Sequence, residues 1–425
     1  MKIAAVILWS LALSLRAAEF DVRQYGAVGD GKSFDTTAIQ KALDACDGTG
    51  GTVKFPPGIY LSQPLTLHSR TTLDLVAGAT LQAGTNQSDF MKVPGDWLKT
   101  KGSGEFIPLI GGKDLTDVTL TGSGVIDGGG SAWWDEAEKA RQIKSGYTLP
   151  RPNLIVLERC QNVRLENLSL QNSPKFHFVP TDCDGVVISN VTILAPAHAA
   201  NTDAIDPSGR HMLITKCHID VGDDNIAIKG GKKPADGGFE SEDITITDCT
   251  FLHGHGLSIG SETAGGVRNV TVHDCTFLNT ENGLRIKSDI RRGGLVENIR
   301  YRDITMSNVV PAITFTCYYQ KNSAGDATHG TVSQSDTAPA KALKIPVFRN
   351  IQVSNLTATC QKTAGLIYGL PDSCISNVVL ENVFITAPKG FEIHNAKGIQ
   401  LKNVTVTAAK GLPFILDNAQ VDGLK

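Results

Sequence analysis

The 425-residue chain lacks a charge bias: 40 basic residues against 43 acidic ones leave a formal net charge of −3 at pH 7. That balance gives no general attraction to nucleic acid or to an anionic membrane surface, so neither is expected as a partner, and an anionic ligand has to be met by a local basic cluster. Long hydrophobic runs are missing beyond the N-terminus, so no later segment reads as a membrane-crossing helix. The regular strand–helix alternation of a nucleotide-binding α/β protein is missing as well. Cysteine is present nine times, an odd number, so at least one thiol of a monomer stays unpaired.

What the chain does have is 41% hydrophobic residues, enough for a large core, and 43 glycines, which announce many turns. Its first residues, "MKIAAVILWSLALSLRAAEF", place Lys2 before an apolar run from Ile3 to Leu15 and then Ala17 and Ala18. This is the layout of a secretory signal peptide over residues 1–18, cut near Ala17 or Ala18, and it is too short to span a bilayer. The expectation is an exported, monomeric chain with a single domain over residues 19–425.

The dominant signal is a repeat. "NVRLENLSL" (162–170), "GVVISNVTI" (185–193), "HMLITKCHI" (211–219), "DITITDCTF" (243–251), "NVTVHDCTF" (269–277), "NIRYRDITM" (298–306), "NIQVSNLTA" (350–358), "NVVLENVFI" (377–385) and "GIQLKNVTV" (398–406) fit one template. They recur every 21 to 32 residues, with one gap of 52 that leaves room for a further coil or an insertion. Within each unit two apolar residues alternate, and then the parity flips, so the chain must bend. The residue at the bend is Asn167, Asn190, Lys216, Asp248, Asp274, Asp303, Asn355, Asn382 or Asn403. Asn and Asp tolerate the left-handed backbone that a tight corner requires, and only Lys216 departs from that rule. Short strands joined by corners at this period predict an all-β parallel β-helix. The inward position after the corner is Cys217, Cys249 and Cys275 in three consecutive units, so these cysteines are predicted to be small core residues. The corner also accounts for the sequons at Asn167, Asn190, Asn355 and Asn403 without glycosylation.

"GAVGDGKS" (26–33) matches the phosphate-loop pattern, but Asp30 sets a carboxylate where phosphates would lie and no α/β alternation follows. The better reading is an N-terminal cap segment, residues 19–60. In it Asp35 caps a short helix whose Ile39, Ala42, Leu43 and Cys46 share an apolar face that closes the end of the solenoid.

Counting from the first inward residue of each unit, Asp223 and Asp224 fall eleven and twelve positions after Met212, and His255 falls eleven after Ile244. Asp203 lies on the coil before, and Arg285 and Lys287 on the coil after. With coils about 4.7–4.9 Å apart, "NTD" (201–203), "GDD" (222–224), "GHG" (254–256) and "RIK" (285–287) gather into one patch. Asp203 and one Asp of the pair then lie roughly 6.5–9.5 Å apart, the room an inverting glycosidase leaves for its water. Arg285 and Lys287, one residue apart, point to the same side of a strand and suit a carboxylate.

These four motifs in this order, with "GVIDGGGSAWWD" (124–135), "NSPKFH" (172–177) and "YGAVGDGKSFDTTAIQKALD" (25–44), resemble the polygalacturonases of glycoside hydrolase family 28 over essentially the mature chain. The resemblance implies that the β-helix is right-handed and that the chain, secreted by its signal peptide, hydrolyses pectic galacturonan with inversion; no cofactor or metal is expected. It implies that Asp223 protonates the leaving oxygen while Asp203 and Asp224 activate water, with His255 orienting an Asp or the sugar. Arg285 and Lys287 bind the galacturonate carboxylate, and Lys229, Tyr318 and His177 are further substrate-binding candidates. A rhamnogalacturonan or xylogalacturonan hydrolase stays open within the family. Outside it stand a calcium-dependent pectate lyase, with the three Asp on the metal, and a polysaccharide-binding β-helix without catalysis. The stretch from Tyr318 to Lys344 is expected to wall one end of the cleft.

Overall fold

A computed structural model describes residues 18–93, 106–143, 149–235, 237–319 and 345–424 of the protein. The expected signal peptide and most of the expected wall, 320–344, lie outside the described residues.

The chain winds as a right-handed parallel β-helix. The first inward residues of the nine units stack one on the next, Val163 on Val186, Met212, Ile244, Val270, Ile299, Ile351, Val378 and Ile399, without a slip. Every one is buried, which is why the register holds: a shift of one residue would turn the apolar face outward. The row also extends backwards through Val118 to earlier coils whose sequences match the template less well. Because Ile299 pairs directly with Ile351, the 52-residue gap is an insertion within a coil and not an extra coil.

All nine corner residues are left-handed, with φ between 53° and 61°, Lys216 included at 56°. Their side chains form a ladder along the outside, as in Asn190 Nδ2 to Asn167 Oδ1 at 2.9 Å and Asn403 Nδ2 to Asn382 Oδ1 at 2.8 Å. A second left-handed corner opens each unit, at Asn162, Gly185, His211, Asp243, Asn269, Asn298, Asn350, Asn377 and Gly398, and its asparagines form a ladder of their own. The periodicity gave no parity flip there, so the sequence reading missed it.

The helix Thr36–Ala45 covers the N-terminal end with Ile39, Ala42 and Leu43 buried. Asp35 stands at its N-cap position, but the carboxylate does not cap the helix. It accepts the amides of Val28 and Gly29 at 2.6 and 3.0 Å and ties down the preceding turn. In the phosphate-loop look-alike, Asp30 accepts the amides of Lys32 and Ser33, so those donors are already taken. The nine cysteines are free thiols, and Cys217, Cys249 and Cys275 are buried as predicted.

Candidate active site

One sheet of the solenoid positions the functional groups. Ile205, Ile226, Leu257 and Leu284 stand in direct register on four successive coils and point into the core. Asp203, Asp224 and His255 each precede their register residue by two positions, and Arg285 follows Leu284 by one. Loop lengths differ from coil to coil, yet the polar groups meet because the strands that follow them are locked by burial. The two glycines around His255 are required. Gly254 and Gly256 have φ of 113° and 79°, and a Cβ on them would stand 2.5 Å from Asp223 O and 2.0 Å from Asn282 O.

Asp224 is the most engaged of the three carboxylates. Ser258 Oγ donates to its Oδ1 at 3.1 Å, Arg285 Nη2 also binds Oδ1, and Lys287 Nζ lies 2.6 Å from Oδ2. Burial pushes its carboxyl up, but Arg285 and Lys287 outweigh burial and hold it below the usual carboxylate range. Arg285 Nε donates to Ser258 Oγ at 2.8 Å, so Ser258 joins cation to anion. Both cations, 4% exposed each, therefore rest on Asp224 in this structure and do not project freely.

Asp223 meets a different set. His255 Nδ1 is 2.9 Å from its Oδ1, the Asn201 amide donates to Oδ2 at 3.2 Å, and the Asp224 amide donates to Oδ1 at 2.8 Å. Burial raises this carboxyl too, but the His255 charge and hydrogen bond and the charge of Lys287 drive it down. Reciprocally, burial lowers His255, and the neighbouring Asp223 more than restores it, so the imidazole titrates above its usual value. Its Nε2 faces Glu281 at 3.2 Å.

Asp203 is the odd member. It is 4% exposed, and its Oδ1 has no hydrogen-bond partner among the described residues. Burial first, then the charges of Asp223 and Asp206, push its carboxyl well above the usual range. Among the three carboxyls Asp203 therefore has the highest proton affinity in the ligand-free cleft, whereas the resemblance assigns the acid's proton to Asp223. Lys229 Nζ completes the cluster, 3.3 Å from Asp206 Oδ2 and 3.8 Å from Glu262 Oε2. Asp206, buried and pushed up to about 6 chiefly by burial, was not singled out in the sequence. Neither were Asn201 and Ser258, although both lie inside or beside the quoted motifs.

Two substrate-binding candidates are not where they were expected. His177 is fully buried and cannot touch a sugar; its amide donates to Asp203 O at 2.9 Å and burial holds the imidazole neutral, down to about 4. It is a support under Asp203. Tyr318 does not join the catalytic cluster and packs on Tyr368, with ring centroids 4.5 Å apart. The tyrosine over Lys287 is its neighbour Tyr319, 5.0 Å from the ammonium to the ring centroid.

Carboxylate oxygens of Asp223 and Asp224 and a nitrogen of His255 lie within 4.8 Å of one another, a compact group whose proton affinities depend on one another. Three carboxylates facing three cations and an imidazole can protonate one side of a glycosidic bond and polarise a water on the other.

The family model of glycosyl hydrolases family 28 matches residues 60–409. The chain is 40% identical over 303 residues to the endo-polygalacturonase of Pectobacterium carotovorum subsp. carotovorum, covering 68% of this chain and 73% of that one. The solved polygalacturonase of Erwinia carotovora ssp. carotovora shares 32% identity at a TM-score of 0.74, over 96% of this chain and 97% of that one. The exopolygalacturonase of Thermotoga maritima shares 26% identity at a TM-score of 0.75, over 93% of each chain. With the solenoid and the carboxylate cluster in place, these matches show that the chain belongs to glycosyl hydrolases family 28.

Proposed function

We propose that the protein is an exported hydrolase that cleaves the α-1,4-galacturonosidic bonds of polygalacturonate with inversion. The observation that carries this reading is the pairing of three carboxylates on consecutive coils with three cations, Lys229, Arg285 and Lys287, at one face of the solenoid. The carboxylates supply acid and base, and the cations suit a substrate that carries a carboxylate on every ring.

The charge state of the cluster supports a division of roles. Asp223 is the acid, and its proton comes from His255, one 2.9 Å hydrogen bond away; the ion pair favours the proton on His255, so the transfer is uphill in the free protein and proceeds as the leaving oxygen draws the proton onward. Transfer across that bond leaves neutral His255 and protonated Asp223, which passes the proton to the leaving oxygen. Asp203 takes the proton of the attacking water. Asp203 first releases its own proton to solvent, after which its raised proton affinity makes it the stronger base; its buried Oδ1 has no hydrogen-bond partner among the described residues. Asp224, with both oxygens engaged, is the weaker base and anchors Arg285 and Lys287.

The experiment is digestion of polygalacturonate, with reducing ends counted, the anomer of the new end read by NMR and early product sizes measured. Reducing ends of inverted configuration, formed in the presence of chelator, support the reading. A chelator-sensitive product that absorbs in the ultraviolet identifies a lyase instead, and binding without product identifies a polysaccharide-binding protein. The same digest run on rhamnogalacturonan and xylogalacturonan, with its product sizes, separates the substrates and endo from exo action. N-terminal sequencing of protein recovered outside the cytoplasm tests export, with a start directly after Ala17 or Ala18 expected.

A further inference from the structure

The basic character of the catalytic sheet ends abruptly. Its outward positions run in two rows along the solenoid, and register fixes both. Arg285 is followed by Thr314, Leu366 and Glu392, and Lys287 is followed by Thr316, Tyr368, His394 and Asp417. No lysine or arginine follows Lys287 in either row. At about 4.8 Å per coil, Tyr368 lies ~10 Å beyond Lys287 along the solenoid.

Aromatic rings take the place of the cations there. Tyr318 and Tyr368 have centroids 4.5 Å apart, and Tyr368 and His394 have centroids 4.9 Å apart, so three rings form one partly exposed platform. Such faces stack on the apolar side of a sugar ring. The charge beside the platform is negative. His394 Nε2 lies 3.4 Å from Glu392 Oε2 and its Nδ1 lies 3.5 Å from Asp417 Oδ2. One imidazole between two carboxylates leaves a net negative spot even when the imidazole is protonated. These carboxylates accept hydrogen bonds from hydroxyls and repel a galacturonate carboxylate.

We propose that Tyr318, Tyr368 and His394 form a binding subsite for an uncharged sugar residue of the substrate polymer, one to three coils beyond the catalytic cations. This inference rests on the pectic-hydrolase reading of the same cleft. Both a methyl-esterified galacturonate and a neutral sugar have the required chemistry: a pyranose with hydroxyls and no free carboxylate.

The test is calorimetric titration of the Asp223→Asn protein, in which turnover is suppressed. The ligands are long oligogalacturonides without ester, partly methyl-esterified oligomers of the same length, rhamnose-containing oligomers, and a short oligogalacturonide that reaches only the cations. Adding Tyr368→Ala is expected to weaken the esterified or the rhamnose-containing ligand about tenfold and to leave the short one unchanged. Whichever ligand loses affinity identifies the source of the uncharged residue. Adding Glu392→Gln with Asp417→Asn, a surface change that spares the rings, is expected to raise affinity for the long unesterified oligomer several-fold. Unchanged affinities in both variants overturn the proposal. Because binding is read without turnover, a wild-type protein that cuts no pectin counts against the hydrolase reading alone.

Discussion

His255 Nδ1 stands 2.9 Å from Asp223 Oδ1, and each group moves the proton affinity of the other: the imidazole rises above its usual value and the carboxyl falls below its own. The pair stores a proton on His255 at the atom next to the acid. His255→Ala is therefore expected to lower kcat about 100-fold, the scale of a lost general acid–base partner. The alkaline limb of the kcat profile, which in wild type lies above 6.5, should move or vanish in the variant. An unchanged limb would show that His255 does not hold the proton.

Asp223→Asn is expected to lower turnover by several orders of magnitude while circular dichroism stays that of a folded solenoid. The side chain sits on a turn ahead of the buried strand Ile226–Ile228 and carries none of the core register. Wild-type turnover in this variant would sink the assignment.

Lys287→Ala removes one of the two cations that hold Asp224 down, and Arg285 then acts alone. The expectation is a higher KM for the charged polymer and an Asp224 that protonates at higher pH, since burial is then less well opposed. The check is KM against kcat, together with titration of Asp224 followed by NMR. A change in kcat alone, with KM and the Asp224 titration in place, counts against the role given to Lys287.

His177 is buried neutral, held down to about 4 against an ordinary 6.5. The unfolded chain binds its proton first, so between pH 6.5 and 4 the unfolded state holds more protons and stability falls on acidification. The loss amounts to about 3 kcal/mol across that window. Urea denaturation at a series of pH values checks this. His177→Gln should flatten the decline, and an equal slope in the variant would show that other groups cause it.

Lys216 is the exception among the nine corners, at φ 56° between Asn190 and Asp248. Lys216→Asn places a residue suited to the left-handed region there and lets its amide reach Asn190. The expected gain is about 1 kcal/mol in urea denaturation, with activity unchanged. A loss of stability would show that the Lys216 side chain contributes more than its backbone costs.

Residue chemistry alone determined much of this protein. Alternating apolar residues with a parity flip at Asn167 or Asp274 fix an inward row and a corner, because burial penalises any other register. That same register carries "NTD", "GDD", "GHG" and "RIK" to one face, so Asp203, Asp223, Asp224, His255, Arg285 and Lys287 were legible together. The corner at Asn162 was not, since a bend at the start of a unit leaves its alternation intact. Nor was the insertion distinguishable from a coil until Ile299 paired with Ile351.

The tertiary structure decided what depends on three-dimensional surroundings. It turned Tyr319 over Lys287 and Tyr318 onto Tyr368, which a pair of adjacent tyrosines cannot reveal. It buried His177 beneath Asp203 and set both cations on Asp224. It also decided which of the three carboxyls has the highest proton affinity, Asp203, because proton affinity follows burial and the nearest charges, and neither is a property of the residue type.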